Sequence, residues 1–169
     1  MVIGIDPGQK GGIACLDSGF MMVKPMPDID SCWNWLELLI VRGGTTAYVE
    51  KVHSMPKQGV ASTFKFGMGY GFIRGLLAGL GVPTVLVSPQ TWKKVMLAGE
   101  NKDDQKTAAV AVASRLWPNV DFRPSSKCRK PSDGMAEAAL IAEYGRRAFC
   151  EMTCDFFRTH SHENIAKTT

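Results

Sequence analysis

Three short runs of strand-forming residues crowd into the first 24 positions, and this spacing constrains the fold more than any other feature. VIGID (2–6) is apolar and rich in β-branched residues, and runs of similar character follow at 11–16 and 19–24. Only the Gly-rich turns PGQKGG and DSG separate them, which predicts a three-stranded meander. The pattern then changes. PMPDIDS leads into WNWLELLIVRGG, an apolar-faced helix with an Asp/Ser cap and a Gly stop. TTAYVEKV (45–52) reads as a fourth strand, a helix spans about 60–80, and VPTVLVSP (82–89) reads as a fifth strand. Helices at about 103–117 and 132–150 follow. A meander followed by strand–helix–strand units predicts an α/β fold, a five-stranded mixed sheet flanked by helices on both faces. The expected organisation is one domain over 1–150 and a C-terminal tail over 151–169, with THSHENIAKTT (159–169) polar and frayed.

The mild basic excess, net charge +4 in 169 residues, permits a nucleic-acid partner without demanding one. No run of 18 apolar residues occurs, and the start lacks a charged segment followed by an apolar one. The sequence therefore predicts neither a membrane span nor a signal peptide, and a cytoplasmic location. Five scattered cysteines fit reduced thiols. Cys150, Cys154, His160 and His162 contain potential zinc ligands, but the spacing matches no common finger, and buried or half-buried thiols are expected instead.

The helix over 60–80 carries Gly67, Gly71, Gly75 and Gly79 at four-residue intervals. Each glycine weakens a helix by roughly 1 kcal/mol relative to alanine, so the stripe implies a compensating close contact. Two contacts fit: the helix's own sheet, or the same helix of a second subunit, with Phe64, Met68, Phe72 and Leu76 filling the flanks. Lys65 and Arg74 argue against a membrane dimer motif.

Two strands end on an acid. Asp6 finishes VIGID directly before Pro7 and Gly8, and Glu50 finishes the apolar part of TTAYVEKV. A strand-after-helix crossover makes these strands parallel neighbours, so Asp6 and Glu50 emerge side by side. In KPSDGMAEAALIAEYGRR, Ser132 or Asp133 caps a helix on which Asp133 and Glu137, four apart, share one face. That face is otherwise apolar (Ala136, Leu140, Ile141), and acids there are costly unless a cation meets them. Capping by Asp133 and an ion pair at Glu137 are the plainer alternatives. Four acids at element ends favour a metal site, and an oxygen-only set suits Mg²⁺ or Mn²⁺. Two such ions, roughly 3.5–4 Å apart, can clamp a phosphodiester.

VIGIDPGQKGGIA, YVEKVHSMPKQG, FGMGYGFIRG, SPQTWKKVM, KTAAVAVASRLWP and SDGMAEAALIA, in this order over residues 1–147, resemble the RuvC-type Holliday junction resolvases of the phage-like and plastid-like branch. The resemblance implies an RNase H-like fold and a homodimer. It also implies metal-dependent paired nicks of a four-way DNA junction that leave 5′-phosphates, without an organic cofactor. By position it assigns Asp6, Glu50, Asp133 and Glu137 as catalytic acids and ligands of two Mg²⁺ ions, with Mn²⁺ able to substitute. The supporting lysine matches Lys106, with Lys102 a near competitor, and Lys93 matches a phosphate contact. Departures are the Asp-x-x-x-Glu ending, in place of the bacterial acid or His-x-x-Asp, and His53 where bacterial members carry an aromatic wedge.

The residues themselves agree on the substrate class. His53, Lys57, Lys93, Lys94, Lys102, Arg123, Lys127, Arg129 and Lys130 are the expected DNA contacts, most of them in the basic, loop-rich region before the last two acids. Trp92 and Phe122 interleave with them, either as partners for bases or as core. Two rival readings remain. One is an actin-like or sugar-kinase ATPase, which needs a second copy of the domain and a second phosphate loop. The other is a junction-binding module that cuts nothing.

Overall fold

The computed structural model describes the backbone of residues 1–40, 44–52 and 59–165, and their side chains except at 29–30, 38–40 and 151–165. The five strands are β1 (Val2–Asp6), β2 (Gly12–Asp17), β3 (Phe20–Pro25), β4 (Thr46–Glu50) and β5 (Thr84–Val87). They form one sheet in the order β3-β2-β1-β4-β5. The meander β1–β2–β3 is antiparallel, while β4 and β5 join β1 in parallel, which is the mixed sheet the sequence predicts.

Period-two alternation sends alternate residues of each strand to opposite faces. Ile3, Ile5, Ala47 and Val49 face one core, built with Cys32 and Leu36 of α1 (Ile29–Ile40) and Ile73, Leu76 and Leu77 of α2 (Val60–Gly79). The other face carries Ala14, Leu16, Tyr48 and Val87. It packs under α3 (Pro89–Met96), α4 (Gln105–Leu116) and α5 (Asp133–Ile165). Asp6 follows Gly4 and Val2 in alternation, and Glu50 follows Tyr48, so both strand-terminal acids lie on the α5 side.

Close packing fixes α5 over the central strand. A Cβ on Gly4 would collide with Ala138 O and Ala142 N of α5, and one on Gly134 would collide with Lys10 O. Gly145 likewise makes room for the ring of Tyr48, which a Cβ would meet at 2.6 Å from Cε2. The small residues Ala138, Ala139 and Ala142 are fully buried, so β1 and α5 approach almost backbone to backbone.

Several expectations are corrected. The fifth strand stops at Val87, and Ser88–Pro89 begins the eight-residue α3, in which Ser88 accepts the Thr91 N–H and proline occupies the first turn. The final helix continues without interruption from Asp133 to Ile165, past the expected end near 150 and into the segment expected to fray. Residues 166–169, and the side chains of Cys154, His160 and His162, lie outside the described residues; Cys150 is exposed rather than buried. No disulfide joins Cys15, Cys32, Cys128 or Cys150. Leu76 packs into the core rather than flanking the glycine stripe. No helix among the described residues is long and apolar enough to cross a membrane.

Candidate active site

The parallel register of β1 and β4 pairs Ile5 with Val49, and the next step on each strand is Asp6 and Glu50. Pro7 and Gly8 turn the chain away at once, and the Gly8 N–H donates back to Asp6 Oδ1 at 3.1 Å. Beyond Glu50 the backbone stays anchored, because Lys51 N–H donates to Val87 O at 2.7 Å. At the head of α5 it is Ser132 that caps, its hydroxyl accepting the Met135 N–H at 3.3 Å. Asp133, whose carboxylate also takes backbone N–H bonds at the start of α5, lies one turn before Glu137 on the same helix.

Two lysines meet this acid cluster. Lys93 of α3 pairs with Glu137 (Nζ–Oε1 2.8 Å), and Lys106 of α4 pairs with Asp133 (Nζ–Oδ2 2.6 Å). The ion pair anticipated for Glu137 is thus present, and Glu137 also acts on Asp6 and Glu50. Burial dominates the electrostatics at the strand ends. Asp6 is pushed up to about 7, first by desolvation and then by Glu137 and Glu50, against the Gly8 N–H and Lys93. Glu50 is also raised by burial, although the indole of Trp92 donates to its Oε2 at 2.8 Å and pulls the other way. Asp133 is more exposed and directly bonded to Lys106, and its carboxyl is held below the usual range. Lys106 is raised in turn by Asp133.

Asp6, Glu50 and Glu137 are thus near enough to act on one another, and Lys106, paired with Asp133, also feels Glu137 and Asp6. The two candidate lysines lie in different places: Lys106 pairs with Asp133, whereas Lys102 lines a groove of about 580 Å³ between α3 and α4 with Lys93 and Lys94. Arg123 is exposed and forks onto Asp121 at 2.8–2.9 Å, while Lys127, Arg129 and Lys130 are exposed on the connection before α5. His53 and Lys57 lie outside the described residues. Trp92 and Phe122 are core residues, at 0% and 3% exposure, so neither presents a face to a base. The bond from Trp92 to Glu50 is the functional feature the sequence reading missed. The available signal was that a buried indole N–H needs an acceptor.

Among the described residues, no three His, Cys, Asp or Glu side chains stand close enough, as placed, to hold a metal ion. Glu137 and Asp133 are each paired with a lysine. The donor chemistry nevertheless fits a hard divalent cation, since every acid offers carboxylate oxygen and Asp6 is desolvated beside like charges.

No family model matches the sequence, and no curated protein matches it either. Solved structures do. The chain shares its fold with solved structures of RuvC type. Thermus thermophilus RuvC superimposes with a TM-score of 0.53 at 17% identity, over 87% of this chain and 95% of that one. The same protein in complex with Holliday junction substrate gives 0.55 at 14% identity, over 87% and 94%. The yeast mitochondrial Holliday junction resolvase Ydc2 gives 0.51 at 15% identity, over 90% and 83%.

Proposed function

We propose that this chain is a structure-selective DNA endonuclease that resolves four-way junctions by paired symmetric nicks leaving 5′-phosphates. The observation that carries the reading is the convergence of Asp6, Glu50, Asp133 and Glu137 on a sheet of RuvC type, with Lys93 and Lys106 among them. The four carboxylates would hold Mg²⁺, or Mn²⁺ in its place, two ions per site. When bound, such ions lower the pKa of the attacking water and stabilise the leaving oxygen. The residues do the rest. Lys106, whose side chain is 77% exposed, can leave Asp133 and meet a non-bridging phosphate oxygen. Lys93 and Lys94 on α3, with Lys102 across the groove, provide cationic contacts along the backbone of the cut strand. Junction resolution needs two matched sites, and a homodimer would supply them. The stripe Gly67, Gly71, Gly75 and Gly79 supports that assembly. Apart from the adjoining residues and the backbone of the helix itself, no described atom lies within 4 Å of where a Cβ would stand at any of the four, and Phe64 and Met68 beside them are 68% and 60% exposed. The stripe thus does not pack on its own sheet.

Labelled four-way junctions and linear duplex, incubated with and without Mg²⁺, test the proposal. Symmetric nicks on the junction alone are expected. Junction binding without metal-dependent cutting would favour a module that only binds, and ATP hydrolysis without cutting would favour the kinase-like reading.

A further inference from the structure

Trp92 and Lys93 are consecutive residues of the short helix α3, yet they reach different acids. The Trp92 indole N–H donates to Glu50 Oε2 at 2.8 Å, and Lys93 Nζ pairs with Glu137 Oε1 at 2.8 Å. The Lys93 ammonium also stands 5.1 Å from the centre of the Trp92 ring. One fully buried side chain therefore bonds the strand-end acid through its edge and carries on its face the lysine that pairs with Glu137.

A carboxylate on a long side chain has many orientations. Glu50 is fixed because its backbone is held in the ladder and one of its two oxygens is already bonded. The N–H donor cannot accept or lose a proton under ordinary conditions, so the bond persists whichever cation approaches. The other oxygen, Oε1, is not part of this bond. Core packing alone does not require this arrangement, since Phe or Leu would fill the same space with no polar atom to place.

We propose that Trp92 is a positioning residue for the cleavage reaction, one that holds the Glu50 carboxylate in a single orientation toward the site where a divalent cation would be held. This rests on the nuclease reading above. Groups bonded behind a metal ligand typically change metal affinity or activity by 10–100-fold when removed.

The test is Trp92→Phe in the full chain, which keeps the ring and loses the N–H. The KM for junction DNA should stay within about twofold, while kcat falls by roughly 10–100-fold. Calorimetric titration of Mn²⁺ into DNA-free protein should show affinity weakened on the order of tenfold. Wild-type kcat and Mn²⁺ affinity in this variant would overturn the proposal. A second measurement does not depend on the variant folding. With ¹⁵N-labelled tryptophan, one indole N–H resonance of the wild type should exchange slowly and move on addition of Mg²⁺. The Mg²⁺ response should vanish in Glu50→Gln. If no indole resonance responds to Mg²⁺, the proposal fails. A wild type that cuts junctions in no divalent metal would sink the nuclease reading instead, and the calorimetry and resonances would still decide the role of Trp92.

Discussion

Replacing Asp6 with Asn should kill cleavage and, in the absence of metal, make the protein more stable. The carboxyl of Asp6 is buried at the end of β1 beside Glu50 and Glu137, and its pKa is pushed from the ordinary 3.8 up to about 7. The folded state therefore holds a proton on Asp6 that the unfolded state has already lost. The stabilisation is complete below about pH 4 and is lost as the pH rises to about 7, where the folded protein must carry an unfavourable charge. At roughly 1.4 kcal/mol per pH unit, that window sets a ceiling of about 4 kcal/mol. Asn keeps the shape, still accepts the Gly8 N–H and never ionises. Urea or thermal unfolding in chelator, from pH 4 to 8.5, should show Asp6→Asn matching wild type at the acid end. It should gain up to about 4 kcal/mol at the alkaline end, on the order of 10 °C in Tm for a chain of this size. Added Mg²⁺ should raise the wild-type Tm and leave the variant unmoved. An unchanged stability difference across the whole range, or none at pH 8, would refute the assignment of a desolvated acid at this position. Full cleavage by the variant would remove Asp6 from the metal site.

Three further outcomes are expected. Ca²⁺ should support junction binding in a gel-shift assay without turnover, because its longer bonds and looser geometry misplace the attacking water; efficient cleavage in Ca²⁺ would count against two Mg²⁺ ions. Gly4→Ala should displace α5 by forcing a Cβ into Ala138 O and Ala142 N, lowering stability by about 1–3 kcal/mol in denaturant titrations and reducing cleavage more than binding. Gly71→Leu should give folded monomers in sedimentation that nick junctions singly or not at all, and an unchanged dimer with paired cleavage would move the interface elsewhere.

The acid cluster was legible in the sequence because each acid interrupts a strong local pattern. Asp6 and Glu50 end strands whose alternation and crossover fix their neighbours, and Asp133 and Glu137 share a helical face by spacing alone. Where the signal lay in three dimensions, the reading fell short. α3 has eight residues, too few for a clear helical period, and its Ser88–Pro89 start was absorbed into the preceding strand. A separation of 42 positions between Glu50 and Trp92 left no trace of their hydrogen bond in the sequence. Leu76 lies in a helix with apolar residues on several sides, so its burial is set by which face meets the sheet. The glycines of α2 and those facing α5 look alike in sequence but behave oppositely: the first stand open, and Gly4, Gly134 and Gly145 are filled by neighbouring atoms.

The packing of α5 on β1 also imposes an order of events during synthesis. The central strand of the sheet is made first, and the helix that covers it begins 127 positions after Asp6, at Asp133. Until that helix has left the ribosome and docked, Asp6 and Glu50 have no second pair of acids above them. Closing so long a loop is a late step, since its entropy must be overcome before the contacts across it form. A nascent or truncated chain that stops short of residue 133 thus carries only half of the acids. On the nuclease reading, hydrolytic capacity arrives all at once with the docking of α5, and no earlier species of the chain can nick DNA.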